Sequence, residues 1–139
     1  FELGSAYVTV VWPEIGFSDS NLNNWSAVLL VEYQGVSILL TGDAEKKVED
    51  DYLKYIPGEI DILKVAHHGS DTSSGAKLLE AIDPDYAVLS LGAGNDYNHP
   101  HKEPMERLQN CGAEIYRTDR SGTITFTVKE GEISVATER

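Results

Sequence analysis

Apolar segments that run straight into metal-binding or proton-handling side chains constrain this chain more than any other feature. Leu39-Leu40-Thr41-Gly42-Asp43 and Leu63-Lys64-Val65-Ala66-His67-His68-Gly69-Ser70 each open like a buried β-strand and close on a carboxylate or on paired imidazoles. A third junction of the same kind follows Ala87-Val88-Leu89-Ser90-Leu91, in Gly92-Ala93-Gly94-Asn95-Asp96-Tyr97-Asn98-His99-Pro100-His101. All 4 histidines of the chain lie in the last two of these loops. Open α/β sheets gather their sites beyond the carboxyl ends of strands, and rigid strand ends hold ligands in place more closely than loops do.

The rest of the chain supplies a scaffold that suits such a site. Tyr7–Trp12 is β-branched and aromatic and stops at Pro13, which predicts a strand, and the polar stretch Glu14–Asn24 predicts a loop. Trp25–Tyr33 and Val36–Thr41, joined at Gln34-Gly35, predict a hairpin whose strands barely alternate, as strands buried on both faces do. Val48, Tyr52, Leu53 and Ile56 recur at helical spacing, so a helix is predicted from about Ala44 to before Pro57. Ile60–Ala66 reads as a strand, Ala76–Ile82 as a short helix, Asp85–Leu91 as a strand, Lys102–Cys111 as a helix and Glu114–Thr118 as a strand. A closing hairpin, Thr123–Val128 with Glu132–Ala136, turns at Glu130-Gly131. This order predicts one α/β layered domain over residues 1–139, with a mixed sheet and flanking helices.

Composition narrows the function classes. A net charge of -12 argues against broad, sequence-independent attraction to nucleic acid, which draws on Lys and Arg. No apolar run approaches the roughly 20 residues of a membrane-spanning helix, and Phe1-Glu2-Leu3-Gly4-Ser5 lacks the basic flank of a secretory signal, so a soluble piece is expected. The 1 cysteine, Cys111, excludes an internal disulfide and a cysteine-based zinc site, and reads as a packing residue.

Each candidate residue has two readings on residue type alone. Asp43 either caps the following helix or offers a carboxylate to a metal ion. His67 and His68 supply imidazoles, the commonest neutral metal ligands, while Gly69-Ser70 permits a sharp turn behind them. The hydroxyls of Ser70-Asp71-Thr72-Ser73-Ser74 either meet an anionic substrate or cap the next helix. Asn23-Asn24-Trp25-Ser26 and Thr118-Asp119-Arg120-Ser121-Gly122 either face the same cleft or serve as ordinary turns.

Five blocks in order sharpen the choice: Asn24-x-Ser26-x-Val28-Leu29, Leu40-Thr41-Gly42-Asp43, Val65-Ala66-His67-His68-Gly69-Ser70, Asn95-Asp96-Tyr97-Asn98-His99-Pro100 and Arg117-Thr118-Asp119-Arg120-Ser121-Gly122. Over about Asn24 to Thr127 they resemble the metallo-β-lactamase-type domain of the ComEC family of competence DNA-uptake channels. The resemblance implies an αββα sandwich, two divalent metal ions (zinc or manganese) and hydrolysis of phosphodiester bonds in single-stranded DNA. It implies a soluble domain of a bacterial membrane protein, on the extracytoplasmic side and beside the membrane channel portion. Asp43 matches the carboxylate that bridges the metals, and His68 or His67 the late histidine ligand. The preferred assignment is His68 as ligand and His67 as a substrate-facing acid or donor, with His99 as an alternative ligand or phosphate contact. Ser70, Asn95 and Asn24 stand as candidate substrate-binding residues.

One departure accompanies these matches. The superfamily's His-x-His-x-Asp-His or His-x-Asp-x-Asp-His string does not occur here, and the first histidine is His67. The chain is therefore expected to be the second half of such a domain, with the N-terminal half of the same domain as its partner. Two consequences are expected: weak metal binding with little nuclease activity in isolation, and an apolar sheet face left exposed or covered by self-association. Rival readings are a degenerate, non-catalytic scaffold or partner-binding module, and a metallo-hydrolase acting on a phosphocholine ester or a lactone.

Overall fold

The computed structural model describes all 139 residues, Phe1–Arg139. The apolar runs of the first third form an antiparallel meander, β1 (Glu2–Leu3), β2 (Ala6–Trp12), β3 (Val28–Tyr33) and β4 (Val36–Leu40). Gln34 and Gly35 turn the β3–β4 hairpin at φ 51° and 83°, the left-handed pair that a two-residue hairpin loop demands. From β4 onward the strands β5 (Ile62–Lys64), β6 (Tyr86–Leu89) and β7 (Glu114–Arg117) add in parallel and in chain order, completing a seven-stranded sheet.

Helices α1 (Lys46–Leu53), α2 (Ala76–Ile82) and α3 (Lys102–Asn110) make the three crossovers. Each crossover steps in the same direction, and right-handed connections then place all three helices on one face. Leu30, Leu39, Leu63 and Ala87 stand in register across four strands of that face. They pack with Val48, Tyr52, Leu79, Ile82 and Leu108 of the helices into one buried core. Ile38, Ile62 and Tyr86 form the matching row on the other face.

A separate hairpin, β8 (Ile124–Lys129) and β9 (Glu132–Thr137), lies against that second face. The Phe126 ring meets Tyr86 and Tyr116 at centroid distances of 5.5 and 5.8 Å, both edge to face, and Glu130 N donates to Gln34 Oε1 at 2.8 Å. The layers are thus helices, mixed sheet and ribbon, which bears out the α/β class and the mixed sheet with flanking helices. The open sheet face expected from the sequence is open only in part. Val8 and Ile62 are 4% exposed, whereas Val10, two residues on from Val8 on the same face of β2, is 54% exposed.

Several boundaries differ from expectation. Trp25 belongs to a single 3₁₀ turn, Leu22–Trp25, because Asn21 Oδ1 accepts from Asn23 N at 3.0 Å and starts the turn before the strand. Helix α1 begins at Lys46 with Glu45 as its N-cap, so Asp43 is not the cap. A four-residue helix, α4 (Thr118–Ser121), follows β7. Cys111 is half-buried against the core, as expected of a packing residue. No helix is long and apolar enough to cross a membrane.

The Tyr52 hydroxyl is the one buried side-chain polar atom without a hydrogen-bond partner. Burial pushes that phenol far above its usual range. An orphaned buried hydroxyl costs about 1–3 kcal/mol. Tyr52→Phe is therefore expected to stabilise the chain by about 1 kcal/mol in urea melts, and destabilisation of that size would contradict the assignment.

Candidate metal half-site and substrate cleft

Parallel strands β4, β5 and β6 end at one rim, and the three loops named from the sequence leave it together. His67 and His68 sit in the left-handed region at φ 47° and 56°, followed by Gly69 at φ 81°. Such conformations cost non-glycine residues energy and persist only where the surroundings enforce them. Here His67 N donates to Gly42 O at 3.0 Å, Ser70 N to His67 O at 2.9 Å, and His101 N to Gly69 O at 2.9 Å. The three loops are stitched to one another by backbone.

The turn presents His68 in a defined way. Its Nδ1 lies 2.5 Å from the carbonyl oxygen of Ser90, so Nδ1 carries the proton and Nε2 is left with a free lone pair. That atom lies 3.7 Å from Asp43 Oδ1. Two donors on one tetrahedral zinc-like ion sit about 3.4 Å apart, and ligating imidazoles usually give their other N–H to a carbonyl or carboxylate. The Asp43 carboxylate is 42% exposed, and its backbone N donates to Ser26 Oγ at 3.0 Å. Asp43 and His68 therefore fit two ligands of a divalent ion. No group of three or more His, Cys, Asp or Glu side chains is arranged to hold a metal ion, so the residues of this chain do not by themselves make a complete site.

The other imidazoles stand around this pair. Ring centroids lie 6.4 Å apart for His67 and His68, 5.6 Å for His67 and His99, and 6.3 Å for His68 and His99. His67 Nδ1 is 3.4 Å from Thr72 Oγ1 and 3.6 Å from Glu45 Oε1. Burial first, then the neighbouring His101, His67 and His68, hold His99 below the usual histidine range. His101 takes a bracing role: Nδ1 accepts from Asp71 N at 3.1 Å, and Nε2 donates to Tyr97 O at 3.3 Å.

Of three residues expected to touch substrate, Asn24 and Ser70 are buried, whereas Asn95 is half-buried and lines a cleft beside the half-site. Asn24 is buried; its Oδ1 accepts from Glu45 N at 3.2 Å and its Nδ2 donates to Asp19 Oδ2 at 3.1 Å. Ser70 is also buried, and its Oγ accepts from Thr72 N at 3.3 Å. Asn95 donates to Gly92 O and His99 O at 3.1 and 2.8 Å and accepts from His99 N at 3.0 Å. All three side chains brace a site loop through these bonds, Asn24 and Ser70 from within the fold and Asn95 from the cleft wall.

Further braces carry no sequence signal beyond ordinary polar character. Glu45 accepts from Asn23 and Asn21 amides at 3.0 and 2.9 Å. Lys46 N donates to Thr72 O at 2.9 Å. Arg107 donates to Ser74 O at 2.8 Å and Ser73 O at 3.0 Å. Asp19, its side chain 3% exposed, pairs with Lys47 at 2.7 Å and accepts from Asn21 N at 2.8 Å. The Lys47 ammonium, then the Asn21 N–H, hold its carboxyl down to about 2, from 3.8. A depressed folded-state pKa gives stability that is complete above pH 3.8 and lost as pH falls towards 2. Asp19→Asn is therefore expected to flatten the acid limb of a stability–pH profile between those values; an unchanged limb would remove Asp19 from the brace.

A cleft of about 340 Å³ opens beside the half-site, lined by His68, Ser90, Leu91, Tyr97, His99 and Thr118 among others. Thr118 shapes its floor, accepting from Leu91 N and donating to Leu91 O, both at 2.8 Å. A larger hollow of about 480 Å³ around Val10, Ile15 and Tyr55 contains no histidine.

Comparison with known proteins agrees with this geometry. The sequence profile of the metallo-beta-lactamase superfamily matches residues 22–93, a span holding Asp43, His67 and His68. The chain is 41% identical over 108 residues to ComE operon protein 3 of Bacillus subtilis, covering 77% of this chain and 14% of that protein. It is 38% identical over 117 residues to Recombination protein 2 of Haemophilus influenzae, covering 84% and 15%. Competence protein ComA of Neisseria gonorrhoeae is 37% identical over 113 residues, covering 80% and 16%. The chain thus spans only 14–16% of the length of these relatives. A rim of strand ends carrying Asp43 and His68, a profile over the residues that build it, and relatives of one kind across most of the chain agree: the chain belongs to the metallo-beta-lactamase superfamily, as a domain of the ComEC type.

Proposed function

We propose that this chain is the second half of a metal-dependent phosphodiester hydrolase domain, acting on DNA in a longer competence-type membrane protein. The observation that carries the reading is the His68 imidazole, whose Nδ1 is engaged by Ser90 O and whose Nε2 faces Asp43 Oδ1 at 3.7 Å. Zinc or manganese, two ions in the whole domain, would be held by Asp43 and His68 together with the superfamily's His/Asp string. A bound divalent ion polarises a phosphoryl oxygen and stabilises charge developing on it.

The chain's own residues bind and orient. His67, beside the Glu45 carboxylate, donates an N–H to a phosphoryl oxygen or the leaving group. His99, next to both, is a hydrogen-bond donor to the phosphate. Asn24, Ser70 and Asn95 position the loops that carry Asp43, His67 and His99. With two donors only, the isolated chain binds metal weakly and cleaves little, its missing partner being the N-terminal half of the same domain. The extracytoplasmic face of the membrane, beside the channel portion, is the proposed location.

A non-catalytic scaffold is the second reading, favoured by the lack of a third converging donor and by the net charge of -12. Assaying the full-length protein with manganese on single-stranded DNA, a chromogenic phosphodiester and a lactone separates the readings. Cleavage of the phosphodiesters supports the hydrolase; no cleavage of any substrate supports the scaffold, and lactone-only activity overturns both.

A further inference from the structure

We infer that the cleft beside the half-site is a subsite for an unpaired nucleobase, with Tyr97 as the side chain on which the base stacks. The inference rests on the phosphodiesterase reading and names how the substrate is gripped.

Tyr97 is 75% exposed and its ring packs into no part of the core. It is nevertheless held in place. Its carbonyl receives the His101 Nε2 proton at 3.3 Å, Asn95 ties the ends of the loop together, and its ring lies 5.7 Å from His99 at an interplanar angle of 24°. His99 in turn stands 6.3 Å from His68 at 22°. Tyr97, His99 and His68 thus form a ladder of near-parallel rings that leads from solvent to the half-site. A flat aromatic group entering the cleft would meet ring faces on its way to the reacting phosphate.

The backbone and amide groups of the cleft wall are engaged within the chain. Ser90 O accepts from His68, Gly92 O from Asn95, and Thr118 Oγ1 bonds both ways with Leu91. What the cleft offers a flat ligand is ring face, from Tyr97 and His99, and the Leu91 side chain, with the Tyr97 hydroxyl, the His99 ring nitrogens and Ser90 Oγ open for hydrogen bonds beside them. A Cβ added at Gly92 or Gly94 would meet no atom within 4 Å, which leaves room for a sugar-phosphate backbone to pass. Stacking also suits a chain of charge -12, which lacks the cationic surface that grips duplex phosphates. Every base offers a π face, so such a site is sequence-tolerant and needs an unstacked base.

The test is a metal-free NMR titration of the chain with tetrathymidylate and with an abasic tetramer of equal charge. Tetrathymidylate is expected to shift the Tyr97 ring protons upfield and to move the Gly92, Gly94 and Asn95 amides, while the abasic tetramer does not. Tyr97→Ala should weaken the Kd about ten-fold and Tyr97→Phe by less than about two-fold. Equal binding of the abasic tetramer, shifts mapping elsewhere, no detectable binding, or a Tyr97→Ala Kd like that of the parent would overturn the inference. None of these readouts involves cleavage, so the subsite and the hydrolase stand or fall separately.

Discussion

Gly69→Ala is expected to destabilise the chain by about 2–5 kcal/mol, the sum of two independent costs. Gly69 has φ +81°, where an L side chain meets its own carbonyl, at about 1–2 kcal/mol. A Cβ there would also lie 2.7 Å from Leu89 Cδ2 and 2.7 Å from Pro100 Cβ. Leu89 is completely buried in the core, and Pro100 anchors the His99 loop, so relief requires shifting one or the other, at about 1–3 kcal/mol more. Because His101 N donates to Gly69 O at 2.9 Å, the same shift moves His99 away from His67 and His68. Gly94→Ala is the comparison: φ is +66° but no atom lies within 4 Å, so only the backbone cost of about 1 kcal/mol remains. Urea denaturation of the two variants measures the difference, and equal losses would mean that the Leu89–Pro100 contact does not confine the turn.

Asp43→Ala in the full-length protein should reduce manganese-dependent cleavage of single-stranded DNA by about 100-fold or more, since even outer-shell partners of ligands are worth 10–100-fold. The stability of the chain should hardly change. The Asp43 carboxylate makes no hydrogen bond within the chain and is 42% exposed, its near contact being His68 Nε2 at 3.7 Å. A structural carboxylate would show the reverse, lost stability with activity falling only in proportion. Activity unaffected by the substitution would remove Asp43 from the mechanism.

The site was legible in outline because strand ends and chemistry coincide in the sequence. Apolar runs ending in Thr41-Gly42-Asp43, Ala66-His67-His68 and the Asn95–His101 loop could converge only if β4, β5 and β6 lie parallel, and they do. The two-residue turns at Gln34-Gly35 and Glu130-Gly131 were equally plain, because each sets a glycine, free to take left-handed φ, between two apolar runs. Less plain was which polar side chains face outward. Asn24 and Ser70 are of the same residue types whether they bind a phosphate or brace a loop, and burial is what separates the two for them. The helix after Asp43 starts later than its periodicity suggests because Glu45, held by Asn21 and Asn23, takes the cap position. The partner that sets the His68 tautomer is a backbone carbonyl, Ser90 O, and a backbone group leaves no mark in a sequence. The covering of the second sheet face by β8 and β9 likewise depends on where a hairpin docks, not on its alternation.

Acid stability, the Tyr52 hydroxyl and the Gly69 turn all concern the frame; the metal half-site turns on one atom, His68 Nε2. Long-range proton–nitrogen NMR of the chain, labelled with ¹⁵N-histidine and titrated with zinc, reports that atom directly. A half-site built on Asp43 and His68 predicts His68 protonated on Nδ1, with its Nε2 resonance moving on addition of zinc and the movement lost in Asp43→Ala. His68 protonated on Nε2, or zinc-dependent movement confined to His99 and His101, would contradict it.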